Sequence, residues 1–442
     1  MKRKQTSTLF ICLSLLCALA AQSEDKVLRK IPVAMGLAAH PVNGGDCLLS
    51  DDEFQYIAFY DGEHKMTVGK RTLGETSWEF VTLPETVGWD THNKVVIFQD
   101  VDGYLHVTGN MHNHPLKYFR TKKPRDISTF ETINHWTGYK EDRVCYPNLV
   151  QMRDGTILMM HRFGGSGNGM RIIKQYDEKS QTWFGPEHPI TNGMERTPTC
   201  NAYPIGKIQE DNNGALHFAW CWRETPDVET NFDICFAKSL DRGLTWLSWN
   251  GKPFELPITP ETAEVVDSIP QKAGLMNGGS TILDDAGNPY IGYTRFDGNG
   301  RNQLFVATPE GGQWRVIQIT QWQQTLEFEG RGSIPKSPPT PSLRWKDGKL
   351  HIRYGYSLVK PSQGVMIVSR EELLKAKPGS LAVQPPQTSS LSIPNIRAVN
   401  RGPLPEGQVH YMQQEVARAN RDRKPESPKA PTMIYVVETI QD

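Results

Sequence analysis

The chain has 442 residues, and its 49 Lys plus Arg balance 49 Asp plus Glu, for a formal net charge of zero. Such a balance creates no long-range field to gather nucleic acid or an anionic membrane surface, so an anionic ligand has to be gripped locally. After the first residues, no stretch reaches the roughly 20 apolar residues that cross a bilayer as a helix.

Lys2, Arg3 and Lys4 precede an apolar run over 9–19 and the small residues Ala18, Ala20 and Ala21, the layout of a secretory signal peptide. The expectation is a leader over 1–21, followed by a secreted or periplasmic, monomeric chain. Leu16 before Cys17 speaks against a lipoprotein box.

Short turns then recur between apolar runs: Asp102-Gly103, Asp154-Gly155, Asn213-Gly214, Asp285-Ala286-Gly287 and Asp347-Gly348. Such turns are strong hairpin signals, and recurrence at intervals of roughly 50 to 70 residues marks a repeat architecture. The fold class expected is all-β, a seven-bladed β-propeller filling 22–442 as one domain. Blade one takes 48–49, 55–60, 66–70 and 78–82; blade two takes 94–99, 104–109 and 116–119; blade three takes 148–152, 156–161 and 170–176. Blade four takes 203–208, 215–222 and 233–239, closed by Ser239-Leu240-Asp241-Arg242-Gly243-Leu244-Thr245-Trp246, a full S-x-D-x-G-x-T-W Asp-box. Blade five takes 280–283, 289–294, 303–307 and 314–319; blade six takes 343–345, 349–354 and 364–369. A seventh uses 391–400 and 432–438, with 27–34 pairing terminus to terminus and hiding exposed strand edges. The polar stretch 403–431 reads as a surface excursion.

Outside the leader, Cys47, Cys145, Cys200, Cys221 and Cys235 fit no zinc spacing and fall in or beside expected strands, where cysteine serves as a small buried hydrophobe. No metal site and no cofactor is expected.

In such blades, residues entering the first strand and leaving the second share one face. The entries carry His40, His92, Tyr146, Asn201, Tyr203 and Asn277; the exits carry His112, His161, Arg162, Arg223 and Arg295. Gly164 to Gly169 leaves the same rim, with the freedom to shape or cover it. A rim of imidazoles, phenols and guanidiniums suits an acidic sugar: arginine forks onto carboxylates, and histidine or tyrosine can move a proton. β-Elimination at C5 of a uronate needs carboxylate neutralisation, a base and an acid. The plainer reading is structural: the tyrosines cap strands, and the arginines brace blades through carboxylates such as Glu224 or Asp297.

The segments Gly88-Trp89-Asp90-Thr91-His92-Asn93, Asp102 to His112, Gly164 to Gly169, Asn201-Ala202-Tyr203-Pro204, Trp222 to Asp227 and Asn277-Gly278-Gly279 resemble the BNR-repeat-containing proteins. That family includes ulvan lyases of polysaccharide lyase family 25, similar secreted seven-bladed propellers. The resemblance implies a lyase acting on an acidic, uronate-containing polysaccharide. It maps the catalytic roles onto His92, His112, Tyr203 and Arg223, with Tyr203 as base and acid and Arg223 on the carboxylate. His40, Tyr146, Arg162, Asn201, Asn277 and Arg295 are the expected substrate-binding residues. Tyr146 holds the same position as Tyr203 one blade earlier.

Three rivals stand beside this reading. α-L-Rhamnosidases of the same family, which release rhamnose from glucuronic acid, use a histidine in the first blade's inner turn, but Leu49 to Glu53 has none. A sialidase wants an early Arg-Ile-Pro strand, for which Lys30-Ile31-Pro32 is a poor substitute. A non-catalytic glycan-binding propeller fits the fold equally well.

Overall fold

The structure is a computed structural model that describes residues 26–38, 46–196, 198–332, 334, 338–386, 395–417, 424 and 429–440. The expected leader, His40, 391–394 and most of the basic run 418–424 lie outside them.

Turn chemistry builds the hairpins. Asp100, Asp211 and Asp284 each accept the backbone N–H four residues on, at 2.7, 3.0 and 2.8 Å. Gly103, Gly214 and Gly287 donate back to the same aspartates' carbonyls. Their φ values of 88°, 82° and 80° lie in the left-handed region that glycine enters without steric cost.

The described residues form seven antiparallel sheets, with one short α-helix, Arg370–Lys375. The first sheet runs Leu48–Ser50, Phe54–Tyr60, Lys65–Thr72 and Glu79–Thr86. The second contains Val95–Gln99, Leu105–Gly109, Tyr118–Thr121 and Phe130–Thr132. The third is built on Val144–Gln151, Ile157–Gly165 and Asn168–Asp177, the fourth on Asn201–Pro204, Leu216–Arg223 and Asn231–Ser239. Ser280–Leu283 opens the fifth and Ser342–Lys346 the sixth. The last sheet pairs Lys26–Gly36 with Thr432–Ile440, from Lys26 opposite Ile440 to Gly36 opposite Thr432, with register shifts between Val27 and Arg29 and between Pro32 and Met35.

Apolar side chains fill the space between successive sheets, because inner strands such as Phe54–Tyr60, Ile157–Gly165 and Leu216–Arg223 bury residues on both faces. One cluster joins the terminal, first and second sheets through Met412, Val436, Ile57 and Val107. Others join the second to the third through Phe98 and Met159, the third to the fourth through Met160 and Trp220, the fourth to the fifth through Phe236 and Tyr293, and the fifth to the sixth through Leu304 and Ile352. A polar seam also ties the terminal sheet to the first: buried Arg71 donates to Gln55 and, at 2.8 Å, to Glu438.

At Ser239 to Trp246, Asp241 accepts from the Thr245 N–H at 2.8 Å, Ser239 Oγ accepts from Gly243 N at 2.7 Å, and the fully buried Trp246 indole donates to Gly243 O at 3.1 Å. The five cysteines among the described residues are free and buried.

Two expectations need correction. Residues 403–431 are not wholly an excursion, because Gln408–Gln414 pairs with the final strand throughout its length. The first strand of the third sheet starts at Val144 rather than 148. Its early residues pair with His112–His114, a short strand that has left the second sheet. Apolar alternation does not announce that exchange, since His112–His114 is polar throughout.

Candidate functional site

The exchanged strand brings His112 opposite Cys145, beside Tyr146. Tyr146 takes a φ of 52°, and the strand register shifts between Cys145 and Asn148. This kink turns the ring out of the pleat, a local strain that the surrounding sheet has to hold in place.

Asp90 organises the cluster. Its Oδ1 accepts from His92 Nδ1 at 2.7 Å and its Oδ2 from His112 Nδ1 at 2.6 Å. Burial pushes the Asp90 carboxyl upward, but the bonds from His112 and His92 outweigh it and hold the group well below the usual carboxylate range. An ionised carboxylate only accepts, so both Nδ1 atoms carry protons, and in the neutral imidazole Nε2 is then the acceptor. The His112 Nε2 lone pair faces the Tyr146 hydroxyl at 2.9 Å. The imidazole centroids are 4.6 Å apart, and the Tyr146 ring lies 5.2 Å from His112 and 5.9 Å from His92.

Cations surround the phenol. The Arg162 guanidinium sits 4.9 Å above the Tyr146 ring and is fixed by bonds to Gly164 O at 2.9 Å and Cys145 Sγ at 3.1 Å. Burial pushes Tyr146 well above the ordinary phenol range, with Arg162 pulling the other way. Arg171 donates to Ala202 O at 3.0 Å, and burial, helped by repulsion from Arg162, pushes its pKa down to about 10. The partners named for Arg162 and Arg171 carry no formal charge, which leaves a positive field beside Tyr146. A cavity of about 280 Å³, lined by His92, Tyr146, Lys94, Arg171 and Lys207 among others, opens there.

A second cluster adjoins the first. The Tyr203 hydroxyl is hydrogen-bonded to Ser166 Oγ, and the Arg223 guanidinium lies 5.2 Å from the Tyr203 ring. Arg223 donates to Thr225 O, Pro226 O and Asp227 O, and its Nη1 reaches Asn277 Oδ1 at 3.4 Å. The Gly164 to Gly169 hairpin packs onto this loop: a Cβ on Gly167 would fall 2.3 Å from the Thr225 carbonyl carbon. The glycine loop therefore shapes the rim between the two clusters.

Of the expected site residues, the structure brings together His92, His112, Tyr146 and Arg162 in one group, and Tyr203, Arg223 and Asn277 in another. Tyr203 does not contact the histidines as the mapped roles would require; Tyr146 does. Asn201 is fully buried rather than at the rim, as the backbone neighbour of Arg223. Arg295 is a brace: it donates to Asp267 at 2.8 Å and covers Phe305. His161 is sealed against Trp136, and burial pushes it down to about 3, which keeps it neutral. His40 lies outside the described residues.

Asp90, Cys145, Ser166 and Arg171 are site residues that the rim argument passed over. The Asp90-Thr91-His92 spacing was the available signal for the first, since an aspartate two residues before a histidine can bond its own turn. Asp90, His92 and His112 also form a donor set whose ligand atoms lie within 4.8 Å of one another. The imidazole Nδ1 protons meet the carboxylate directly, so hydrogen bonding accounts for their approach.

The model of the family described as BNR repeat-containing family member matches residues 54–322. Among curated proteins, the ulvan lyase-PL25 of Pseudoalteromonas sp. (strain PLSV) is 25% identical over 230 residues, and the match covers 46% of each chain. The ulvan lyase of Alteromonas sp. (strain LOR) is 24% identical over 231 residues, again covering 46% of each. These matches span less than half the length of those relatives. Among solved structures, the polysaccharide lyase Uly1 superposes with a TM-score of 0.62 at 13% identity, over 94% of this chain and 99% of that one. A PL25 ulvan lyase bound to -[GlcA(1-4)Rha3S]- superposes with a TM-score of 0.56 at 16% identity, over 93% and 94%. Those likenesses carry the architecture, which is propeller-like, and the family match extends over more than half of the sequence: the chain belongs to the BNR repeat-containing family.

Proposed function

We propose that the protein is an exported polysaccharide lyase, one closed seven-bladed ring over 22–442, that cleaves a uronate-containing glycan by β-elimination. The observation that carries the reading is the chain of hydrogen bonds Tyr146 to His112 to Asp90, with Arg162 over the phenol. Tyr146 takes the role that the resemblance alone would give Tyr203.

The Tyr146 proton passes to His112 Nε2, and Asp90 stabilises the resulting imidazolium. The tyrosinate, favoured by Arg162, removes the proton from C5 of the uronate. The electron pair of that C–H bond forms the C4=C5 double bond as the C4–O4 bond breaks. The phenol then delivers its proton to the departing O4, and the proton on His112 remains ready to restore the resting state. Arg223 and Asn277 bind the sugar chain beside this centre, and Arg171 offsets the uronate charge as it develops.

Incubation with ulvan and other uronate polysaccharides tests the reading: a 4,5-unsaturated uronate absorbs in the ultraviolet. Reducing ends without absorbance would show hydrolysis, and saturable binding with neither would show a binding propeller.

A further inference from the structure

A separate cavity of about 540 Å³ lies beside the Arg223 loop, lined by Glu229, Lys272, Phe296, Glu327, Phe328 and Glu329 among others. Its outer wall is the stretch after Thr320. The start of that stretch is pinned to the fifth sheet, where Asn302 N donates to Gln324 O at 3.1 Å and Gln303 Nε2 to Trp322 O at 2.9 Å. Its end is pinned at Gly330, whose N–H donates to Asp227 Oδ1 at 2.8 Å and whose carbonyl accepts from Val228 N at 2.9 Å. Between these anchors, residues 327–329 bridge the rim.

The wall connects to the sugar-binding cluster. Asp227 O accepts from Arg223 Nε at 3.2 Å. Leu275, on the cavity wall, accepts from Asn231 Nδ2 at 2.9 Å, and the same amide shares Asn277 Oδ1 with Arg223. Arg223 and the cavity wall are therefore joined through shared hydrogen-bond partners. The family match ends at residue 322, so the wall over 327–329 is a feature of this chain beyond the matched repeats.

The lining combines two phenyl rings with three carboxylates and one ammonium, and Lys272 Nζ lies 3.5 Å from Glu229 Oε1. Phenyl faces accept the C–H face of a pyranose, and carboxylates accept hydrogen bonds from its hydroxyls. A sulfate or second carboxylate would instead face net negative charge, a repulsion of about tenfold in affinity.

We infer that this cavity is a subsite for an uncharged sugar flanking the uronate, and that it selects against a sulfated neighbour. The identity of the adjacent uronate rests on the lyase reading; the charge preference does not. The test is calorimetric binding, alongside ultraviolet-detected turnover, of uronate oligosaccharides in sulfated and chemically desulfated form. Wild-type protein is expected to bind the desulfated chain about tenfold tighter. Glu327→Gln with Glu329→Gln, at two exposed positions, should narrow the ratio to about threefold by improving the sulfated ligand, and Phe328→Ala should weaken the desulfated one about tenfold. Equal or tighter binding of the sulfated chain, an unchanged ratio in the double variant, or no binding of either ligand overturns the subsite. A binding preference without new absorbance upholds the subsite and removes the lyase; absorbance with no preference does the reverse.

Discussion

Tyr146→Phe removes one hydroxyl and keeps the ring that Arg162 covers at 4.9 Å. The variant loses the group placed 2.9 Å from His112 Nε2, and with it both the base and the acid of the elimination. General acid–base groups supply about 10²–10⁴-fold each, so losing a residue that serves both roles should lower kcat by about 10³-fold or more. That is about 4 kcal/mol of barrier. One hydrogen bond contributes only about 1 kcal/mol to stability, so the fold should survive with a small fall in Tm. KM should stay near wild type, because the variant leaves the proposed sugar-binding pair Arg223 and Asn277 untouched. The readout is the initial rate of ultraviolet absorbance on a uronate polysaccharide, with Tyr203→Phe in parallel; Tyr203 faces Ser166, and its loss should cost about tenfold. Wild-type turnover by Tyr146→Phe, or a deeper loss in Tyr203→Phe, would refute the assignment.

Asp90→Asn replaces a carboxylate that accepts from both imidazoles by an amide that can accept from only one side, so kcat should fall about 10²-fold with little change in substrate affinity. Glu178 has both carboxylate oxygens buried without a hydrogen bond of ordinary geometry, and burial together with Asp100 pushes it from 4.5 up to about 7. Its folded pKa is raised, so stability is full below about pH 4.5 and declines as pH rises through 7. Glu178→Gln should remove that decline, a gain of about 1 kcal/mol at pH 8 once solvent screening is discounted, measured by urea unfolding at pH 5 and pH 8. Glu438→Ala strands buried Arg71 and should cost about 3–5 kcal/mol, seen as a lowered Tm. His410, pushed by burial down to about 4, works in the opposite direction to Glu178: the unfolded chain takes up its proton first, so stability falls as pH drops from 6.5 towards 4. His410→Gln should flatten that acid limb in the same unfolding series.

The repeat was legible because each hairpin needs a residue that tolerates positive φ, and an aspartate or asparagine beside glycine states that need in the sequence. Strand ends brought His92, His112 and Tyr146 into contact on the same logic. The choice between Tyr146 and Tyr203 was not legible. It depends on a left-handed tyrosine, a register shift and a three-residue strand that changes sheets, and no residue type in that stretch demands any of them. Arg295 and Asn201 were misplaced for a related reason: periodicity gives the face of a strand but not whether the neighbouring strand supplies an Asp267 or closes over an amide.

The pairing of Lys26–Gly36 with Thr432–Ile440 has a consequence for how the chain is made. Among the described strands, the first waits through the synthesis of six sheets for its partner in the seventh, and until then it presents an unmatched hydrogen-bonding edge to other nascent chains. Losing a few residues from either end of this zipper loosens both ends together, so trimming at one terminus should be felt by protease at the other.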